Sequence, residues 1–309
     1  MDVSANNKAG VVVVRITDSA LVNNIRKNLQ GNMQNLNDVN EKVSTGKKFQ
    51  RASEDPIGAS QSLKYASLIS GGEQHEDNVD AARRWLNTTE DSLADSGKIV
   101  QRARELAVHG ANGSLTETER ENLASEVGEL KEELASIANS KLGDEYIFSG
   151  QATDKAAYNK ADVASGVIDY QGDSYDIKRE ITPGIEMPVN VKGNEVFSGA
   201  LEALNELEAR LGDPARVNEI SEQSVEEIDE ELNNISNTRA GVGAKMNRLD
   251  MVENRLESEL INLKEMRSKN EEIDLAETIT DLKMEESVYR ASLSAGARSM
   301  QPSLVDFLD

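Results

Sequence analysis

Histidine and cysteine, which often serve as catalytic bases, nucleophiles and metal ligands, are scarce in this sequence. The 309-residue chain has two histidines, His75 and His109, and no cysteine. A single histidine on a polar helical segment is usually a surface or packing residue, and these two lack the spacing of a metal-binding pair. The absence of cysteine excludes disulfides, thiolate nucleophiles and thiolate metal sites.

Three further patterns match chemical motifs only in part. Gly46-Lys47 has the form of the end of a phosphate-binding loop, but the upstream glycine is missing and Lys48 stands where Ser or Thr is required. Ser149-Gly150 lacks the glycine two residues before the serine of a nucleophile elbow. The acidic run 226–231 occupies consecutive helical positions, which fan around the axis and do not converge on a cation. We expect no catalytic, cofactor-binding or metal-binding residues.

Net charge limits the partners of the chain. A formal charge of -22 and a pI near 4.6 would repel both a phosphate backbone and an anionic membrane surface, so we expect no nucleic acid partner. No apolar run reaches the ~18 residues of a transmembrane helix, and we expect no membrane insertion. With 38% apolar and only 4% aromatic residues, the composition is typical of long helical bundles.

Apolar residues in the first half of the chain have helical spacing. From Ile25 to Val43, apolar residues follow one another at spacings that alternate between four and three residues, which places them on one face of a helix. Only Asn32 interrupts this apolar stripe. Gly46 suits the end of that helix, and Asp55-Pro56 blocks a simple continuation. A second helix is predicted by apolar residues at every seventh position, with small residues between them that would let another helix approach closely. The apolar residues are Val79, Leu86, Leu93, Val100 and Ala107. The small residues are Ala82, Thr89, Ser96 and Ala103.

Further helices are predicted on both sides of a different middle region. Thr116 and Glu119 have the spacing of a capping box and predict the start of a third helix, whose stripe covers 123–137. Between about 146 and 197, short β-like runs alternate with turn signals, which predicts a small β-rich insert. The runs are 167–170 and 175–181.

The second half of the chain contains the longest stripe. After a stripe at 201–211, apolar residues keep one helical register from Ile228 to Leu263, with only Arg239 and Glu253 polar. So long a register predicts a coiled-coil-like rod. After Leu263 apolar residues no longer occupy this register, and a new stripe begins at Leu275. The change of register predicts a joint between two domains.

These elements pair from the two ends of the chain inward. We therefore expect a mainly α fold, a nested antiparallel helical bundle or coiled-coil rod with the insert at its tip. Residues 1–14 would be an extension or a misassigned start, and 15–50 with 270–309 a terminal coiled-coil polymerisation domain. Residues 51–150 with 200–269 would form a helical rod domain, and 151–199 a small β-rich insert domain.

The terminal stripes point to contacts with other subunits. The stripes Ile25 to Val43 and Leu275 to Leu293 each span about 27 Å at a helical rise of ~1.5 Å per residue, so they would match as an antiparallel pair. The last helix carries a second apolar row, Met284, Val288, Ala291 and Ala295, that one partner cannot also cover, so we expect neighbouring subunits to complete the termini. The expected subunit-interface residues are Ile25, Leu29, Leu36, Val43, Leu275, Ile279, Leu282, Tyr289, Leu293, Leu304 and Phe307.

Several segments resemble a known family. STGKK at 44–48, SEDPIGA at 53–59, WLNTTE at 85–90 and RARELAV at 102–108 resemble the amino-terminal half of the flagellin superfamily. Asp55-Pro56, YIFSG at 146–150 and the ending QPSLVDFL at 301–308 look like its hook-associated protein 3 (FlgL) family rather than filament flagellin. The resemblance covers roughly 15–150 and 217–308.

The resemblance implies a flagellin-like fold and a non-enzymatic structural subunit at the junction of the flagellar hook and filament. The partners it implies are other copies of the chain in a ring, the neighbouring hook-associated protein, flagellin, a cytoplasmic export chaperone and the flagellar type III export apparatus. It places the protein in the extracellular flagellum after a transient cytoplasmic stage and export as an unfolded chain.

Other functions remain open. Filament flagellin would differ from a junction protein by its far higher copy number. A cytoplasmic coiled-coil scaffold would fit the acidic charge and the stripes, but gives no reason for the ending at 301–308. A flagellum-associated enzyme would need a converging catalytic set in the insert, yet 151–199 contain no histidine or cysteine.

Residues 1–13 do not share the pattern of the chain that follows. Asp2 to Gly10 is polar and has no helical period, and Val14 stands directly before Arg15-Ile16-Thr17, where the similar family opens with methionine. A GTG codon encodes methionine when it is the start codon, but it is read as valine when translation is assigned to start further upstream. We therefore expect that the natural chain begins at position 14, with methionine in place of Val14. The alternative is a real extension in which Val11–Val14 form a short strand. Amino-terminal sequencing of protein sheared from native flagella tests this, and a peptide containing residues 2–8 would contradict it.

Overall fold

The chain folds into long helices with one intervening region of short strands and turns. The computed structural model describes the backbone of residues 10–112 and 115–299 and the side chains of residues 20–112 and 115–298. Within these ranges the α-helices are α1 (Gly10–Thr45), α2 (Pro56–Gly110), α3 (Glu117–Ala138), α4 (Lys160–Ala164), α5 (Gly193–Gly212), α6 (Val217–Glu219), α7 (Val225–Glu271) and α8 (Leu275–Ser299). A π-helical turn, Ile220–Ser224, lies between α6 and α7. The expected mainly α fold is confirmed.

Strands are short and form two hairpins. β1 (Lys141–Leu142) pairs with β2 (Glu145–Tyr146), and β3 (Lys178–Thr182) pairs with β4 (Ile185–Pro188), both antiparallel. The predicted strand at 175–181 is therefore shorter than expected, because it begins at Lys178. The predicted strand at 167–170 is wrong apart from one isolated bridge between Tyr158 and Tyr170.

Helix ends follow the local signals in the sequence. Gly46 has a φ of 72° directly after α1, a left-handed conformation that glycine adopts without strain. Asp55 caps α2, since its Oδ1 accepts hydrogen bonds from the N–H groups of Ile57 at 3.1 Å and Gly58 at 2.9 Å. Both hydrogen bonds of the predicted capping box between Thr116 and Glu119 are present.

The backbone of Val11–Val14 lies within α1. The alternative of a short strand at this position is therefore wrong, because these residues continue the helix that follows them.

Contacts divide the chain into two compact units. Among the described residues, one unit lies within 70–261, and the other combines residues 10–69 with residues 262–299. This division groups the start of α2 and the end of α7 with the terminal helices, whereas we expected them in the rod domain. It also groups the insert with the helices of 70–261, because buried insert residues such as Tyr158 and Ile181 belong to the same hydrophobic core as Leu86 and Leu249.

The core of the 70–261 unit is built on the heptads of α2 and α7. Every predicted heptad residue of α2 is almost fully buried, as are Ile228, Ile235, Val242, Leu249 and Leu256 of α7. The helices are antiparallel, since Gly72 lies against Leu260 and Gly97 lies against Ile235. The small residues Ala82, Thr89, Ser96 and Ala103 are buried, as close helix approach requires.

Ion pairs explain the polar positions in the long stripe of α7. Arg239 places two guanidinium nitrogens 2.9 and 2.6 Å from Glu90 of α2. Glu253 pairs with Arg83, which also lies 2.6 Å from Asp250. These pairs are partly exposed and add little stability, but they favour this register because a shifted one would separate the charges.

A buried lysine joins α3 to α5. Lys131 is almost fully buried on α3, and its Nζ lies 2.6 Å from Glu208 Oε2 and 3.0 Å from Asn205 Oδ1 on α5. Gly128, one turn earlier, leaves room for the Glu208 carboxylate. Loss of the Glu208 charge would leave the buried Lys131 ammonium without its ion-pair partner, which is costly.

Two tyrosines anchor the insert. Tyr158 is fully buried, and its hydroxyl lies 3.1 Å from the Gly193 carbonyl and 2.7 Å from Ser198 Oγ. Burial raises the pKa of Tyr158 to about 12, so the neutral hydroxyl is the form that binds here. Tyr170 donates to the Phe148 carbonyl at 2.9 Å, which attaches the insert to the buried 146–150 segment.

Truncation of a heptad residue should destabilise the 70–261 unit. We expect Leu93→Ala, at a fully buried position, to lower the free energy of unfolding by about 3 kcal/mol because it leaves a cavity. Val108→Ala on the same helix is the matched control, since Val108 is 51% exposed, and should cost less than about 0.5 kcal/mol. Urea unfolding followed by circular dichroism measures both, and equal losses would contradict the heptad core.

Candidate subunit interface

The terminal helices α1 and α8 form an antiparallel pair. Asn32 Nδ2 of α1 donates to Ser292 Oγ of α8 at 2.6 Å, and Gly296 lies against Ile25. The α1 residues on this face are half-buried and follow the predicted stripe: Ile25, Leu29, Asn32, Leu36, Val39 and Val43. Asn32, which interrupts that stripe in the sequence, therefore has a partner on the facing helix.

The face of α8 that lies against α1 is only partly apolar. Its buried and half-buried residues at helical spacing are Thr278, Leu282, Glu285, Tyr289, Ser292 and Gly296. Two exposed apolar rows flank this face. Leu275, Ile279 and Leu293 lie on one side, and Met284, Val288, Ala291 and Ala295 on the other. The pairing with α1 thus leaves most of the large apolar side chains of α8 in solvent.

The predicted interface residues fall into three groups. Ile25, Leu29, Leu36, Val43, Leu282 and Tyr289 are half-buried within the helix pair. Leu275, Ile279 and Leu293 are exposed, with 54%, 37% and 43% of their surface accessible. Leu304 and Phe307 lie outside the residues that the structure describes.

The end of α1 is attached to the joint between α7 and α8. The N–H of Ile273 donates to the Gly46 carbonyl at 3.0 Å, and the N–H of Lys48 donates to the Glu271 carbonyl at 2.7 Å. Asp274 caps α8 by accepting from the N–H groups of Ala276 and Glu277 at 3.0 and 3.2 Å. The break in phase after Leu263 is therefore followed by the end of one helix and the start of another, and the domain joint expected there stays a prediction.

A groove that sequence reasoning missed lies beside this joint. Its volume is about 730 Å³, and its walls include Phe49, Ala59, Leu63 and Arg267. Leu63 and the nearby Ile57 are exposed by 73% and 74%. Because these residues fall outside the main stripe of α2, no heptad pattern identifies them. The feature of the sequence that could have indicated the groove is the presence of two apolar residues, Ile57 and Leu63, in the first turns after Asp55-Pro56.

Side chains considered for chemistry are used in other ways. Ser149 Oγ donates to the Lys155 carbonyl at 2.7 Å, and Gly150 has a φ of 69°, so this pair forms a turn. His75 Nδ1 lies 3.3 Å from the Glu180 carbonyl, and His109 is exposed at the end of α2. Over residues 10–112 and 115–299, no cluster of His, Cys, Asp or Glu is arranged to hold a metal ion.

The acidic run does not converge on a single point. Asp229 pairs with Arg104 of α2, and the guanidinium lowers the pKa of the Asp229 carboxyl below its ordinary value. Glu227 binds Arg210 of α5 through both carboxylate oxygens, at 2.7 and 3.1 Å. The run thus has structural partners on two sides.

Hydropathy gives no indication of a membrane span. Among the helices described, none combines the length and apolar character needed to cross a bilayer.

Paired cysteines can test the register of α1 and α8, since the natural chain has no cysteine. We expect the double variant Asn32→Cys/Ser292→Cys to form an intrachain disulfide under mild oxidation, because the two native side chains touch at 2.6 Å. Met33→Cys/Ser292→Cys is the control, since Met33 is exposed on another face. Mobility on a non-reducing gel reports the bond, and equal cross-linking of both variants would contradict the register.

Family models match both halves of the chain. A model described as the bacterial flagellin N-terminal helical region matches residues 16–153, and one described as the bacterial flagellin C-terminal helical region matches residues 225–308. Together they cover more than two thirds of the chain.

Curated relatives match along most of their length. Flagellar hook-associated protein 3 of Escherichia coli strain K12 is 23% identical over 82% of this chain and 87% of its own length. Flagellin of Listeria monocytogenes is 27% identical over 90% of this chain and 91% of its own.

Solved structures share the fold. The crystal structure of Bacillus cereus FlgL has a TM-score of 0.58 at 22% identity and covers 66% of this chain and 99% of that one. The flagellar junction protein FlgL from Legionella pneumophila also has a TM-score of 0.58, at 17% identity, and covers 70% of this chain and 100% of that one. The paired terminal helices and both flagellin family models lead to one conclusion: the chain belongs to the bacterial flagellin family.

Proposed function

We propose that this chain is a structural subunit of the bacterial flagellum that forms the junction between hook and filament. The observation that carries the proposal is the pair of exposed apolar rows on α8, which leaves the terminal helices incomplete as a monomer. The hook-associated protein 3 relatives and the FlgL-like fold support the junction, rather than another flagellar position, as the place where these rows are covered.

Copies of this chain are the first expected occupants of the exposed rows. A soluble monomer rarely exposes contiguous apolar rows, and identical copies arranged by rotation can cover one another's surfaces in a closed ring. The interface of each copy would include Leu275, Ile279 and Leu293, and Leu304 and Phe307 beyond the described residues. Ile25, Leu29, Leu36, Val43, Leu282 and Tyr289 would support it from within the helix pair.

A junction subunit has different partners at its two ends. We propose a neighbouring hook-associated protein on one side and flagellin on the other, both binding through terminal helices of the same kind. Before assembly, the exposed rows require protection in the cytoplasm, which a dedicated export chaperone would give before transfer to the flagellar type III apparatus.

We propose no catalytic activity for this chain. Its family is a structural one. The residues considered as nucleophile or base bind backbone carbonyls or lie exposed and apart, so they do not form a reaction centre.

Filament flagellin is the second candidate. The Listeria monocytogenes flagellin match, at 27% identity over 90% of this chain, favours it. Quantitative mass spectrometry of purified flagella discriminates the two, since a junction ring needs few copies per flagellum and a filament needs very many.

Deletion of the gene tests the junction role. We expect intact hooks without filaments, with flagellin released into the medium, because the surface on which flagellin polymerises is lost. Electron microscopy of the cells and immunoblots of the medium measure both effects, and complementation with the wild-type gene is the control. A normal attached filament in the deletion strain would contradict the proposal.

Substitutions on α8 test whether an exposed row is an interface. We expect Leu293→Asp to leave the monomer folded, because Leu293 is exposed, but to abolish filament attachment by placing a charge in an apolar contact. Ser287→Asp is the control, since Ser287 lies on the outer strip of α8 between the two rows. Motility assays and circular dichroism measure the outcome, and wild-type motility of Leu293→Asp would show that the row is not an interface.

A further inference from the structure

The groove beside Phe49 and Leu63 presents an apolar surface to solvent. Its volume is about 730 Å³, and Leu63 in its wall is 73% exposed. Ala59, Leu63 and Ala66 follow one another at spacings of four and three residues, so one face of α2 lines the groove. Phe49 and Ala52 add apolar atoms from the segment before that helix. An open apolar surface of this kind marks a binding site for another segment.

Hydrogen bonds hold the walls of the groove in place. Asn270 Nδ2, near the end of α7, donates to the Gly58 carbonyl and to Ser62 Oγ of α2, both at 2.8 Å. In the segment between α1 and α2, the N–H of Lys48 donates to the Glu271 carbonyl at 2.7 Å. The groove is therefore formed before any partner binds, which lowers the entropy that binding would cost.

Charged residues that line the groove are mainly cationic. They are Lys47, Arg267 and Glu271. Lys47 Nζ lies 3.4 Å and Arg267 Nε lies 3.8 Å from Glu271 Oε1, so the two cations share a single carboxylate oxygen. In a chain with a formal charge of -22, this surface favours an acidic partner over a basic one.

Residues 303–309 have the composition that matches this groove. Their sequence, SLVDFLD, combines four apolar side chains with two carboxylates and contains no cation. These residues lie outside the part of the chain that the structure describes. The exposed apolar rows of α8 match the groove less well, because they share their helix with Lys283 and Arg290.

This segment cannot fill the groove of its own copy. Gly296 of α8 lies against Ile25 of α1, whereas the groove begins at Thr45, about 30 Å further along α1 at ~1.5 Å per residue. Leu304 follows Ser299, the last residue of α8, by five residues, which span at most about 18 Å even when fully extended. The segment that fills the groove must therefore come from another molecule.

We propose that the groove binds residues 303–309 of a second copy of this chain. The inference rests on the proposed ring of copies and identifies one of its contacts. Leu63 and Phe49 contact the apolar side chains of the segment. Lys47 and Arg267 lie beside its aspartates. A groove on one copy and a segment on the next form a heterologous contact, which closes into a ring when the rotation between neighbours permits.

Binding of a synthetic peptide tests this contact. A fluorescein-labelled peptide of residues 300–309 is titrated with purified full-length protein while its fluorescence anisotropy is recorded. We expect saturable binding that Leu63→Asp weakens by at least about tenfold, because a carboxylate enters the centre of the apolar contact. Circular dichroism checks that this variant is folded, which the exposure of Leu63 predicts.

Gln61→Asp is the matched control for the peptide experiment. It introduces the same charge at an exposed position of α2 that does not line the groove, and should change the affinity by less than about twofold. Equal weakening by both variants, or the absence of saturable binding to the wild-type protein, would overturn the proposal.

Single cysteines test which molecules meet at the groove, since the natural sequence has none. Under mild oxidation we expect Ala66→Cys protein to form a mixed dimer with tagged Leu308→Cys protein in higher yield than Ser67→Cys protein does. Ala66 lines the groove, whereas Ser67 is exposed outside it. Non-reducing gels measure the yields. Equal yields, or an intrachain disulfide in the double variant Ala66→Cys/Leu308→Cys, would overturn the assignment to a second copy.

Failure of this contact is distinguishable from failure of the junction role. A deletion strain without filaments, together with a wild-type protein that does not bind the peptide, would overturn the groove contact alone. A normal attached filament in the deletion strain, together with peptide binding that Leu63→Asp abolishes, would overturn the junction role and leave the groove contact standing.

Discussion

The 70–261 unit depends on the packing of α2 against α7 at every seventh residue. Leu86 and Leu93 on α2 and Val242 and Leu249 on α7 are almost fully buried. Each buried aliphatic side chain contributes about 1.5–3 kcal/mol relative to exposure. Because both helices keep the heptad phase over this span, the small residues between the heptad positions meet the facing helix repeatedly. The other elements of the unit, α3, α5 and the insert, join the same core.

The terminal helices α1 and α8 differ from this core because many of their apolar residues are exposed. On α8 the inward face is partly polar and the apolar rows face outward, so the pairing with α1 leaves those rows in solvent. Helices in proteins draw most of their stability from packing an apolar face against other elements, and the exposed rows of α8 lack that packing. The same chain thus combines a buried core with exposed apolar rows, through which we propose that it assembles. The difference between the buried apolar residues of α2 and α7 and the exposed apolar rows of α8 is the feature of the sequence on which the proposed role in assembly depends.

Much of the fold could be predicted from periodicity and local signals. The capping box at Thr116 and Glu119, the end of α1 and the break in helical register before Leu275 all depend on interactions within a few residues, which a sequence shows directly. The insert was harder to predict. Its 167–170 segment has β-branched and aromatic residues but lacks a ladder partner, and Tyr170 is fixed through its hydroxyl to the Phe148 carbonyl, far away in sequence.

The candidate interface could be predicted only in outline. Helical spacing identified Leu282 and Leu293 as members of one stripe, but it could not separate the half-buried Leu282 from the exposed Leu293. That separation depends on the rotation of α8 about its axis, which is set by long-range contacts such as Asn32 with Ser292. The groove beside Phe49 and Leu63 depends in the same way on packing between distant segments.

Immunogold electron microscopy of intact flagella tests the central claim most directly. Antibodies raised against the 70–261 unit, used on cells that carry complete flagella, report where this chain lies along the organelle. A junction subunit predicts gold particles confined to one position, where the hook ends and the filament begins. Labelling along the whole filament, or its absence from flagella of cells that express the protein, would contradict the account.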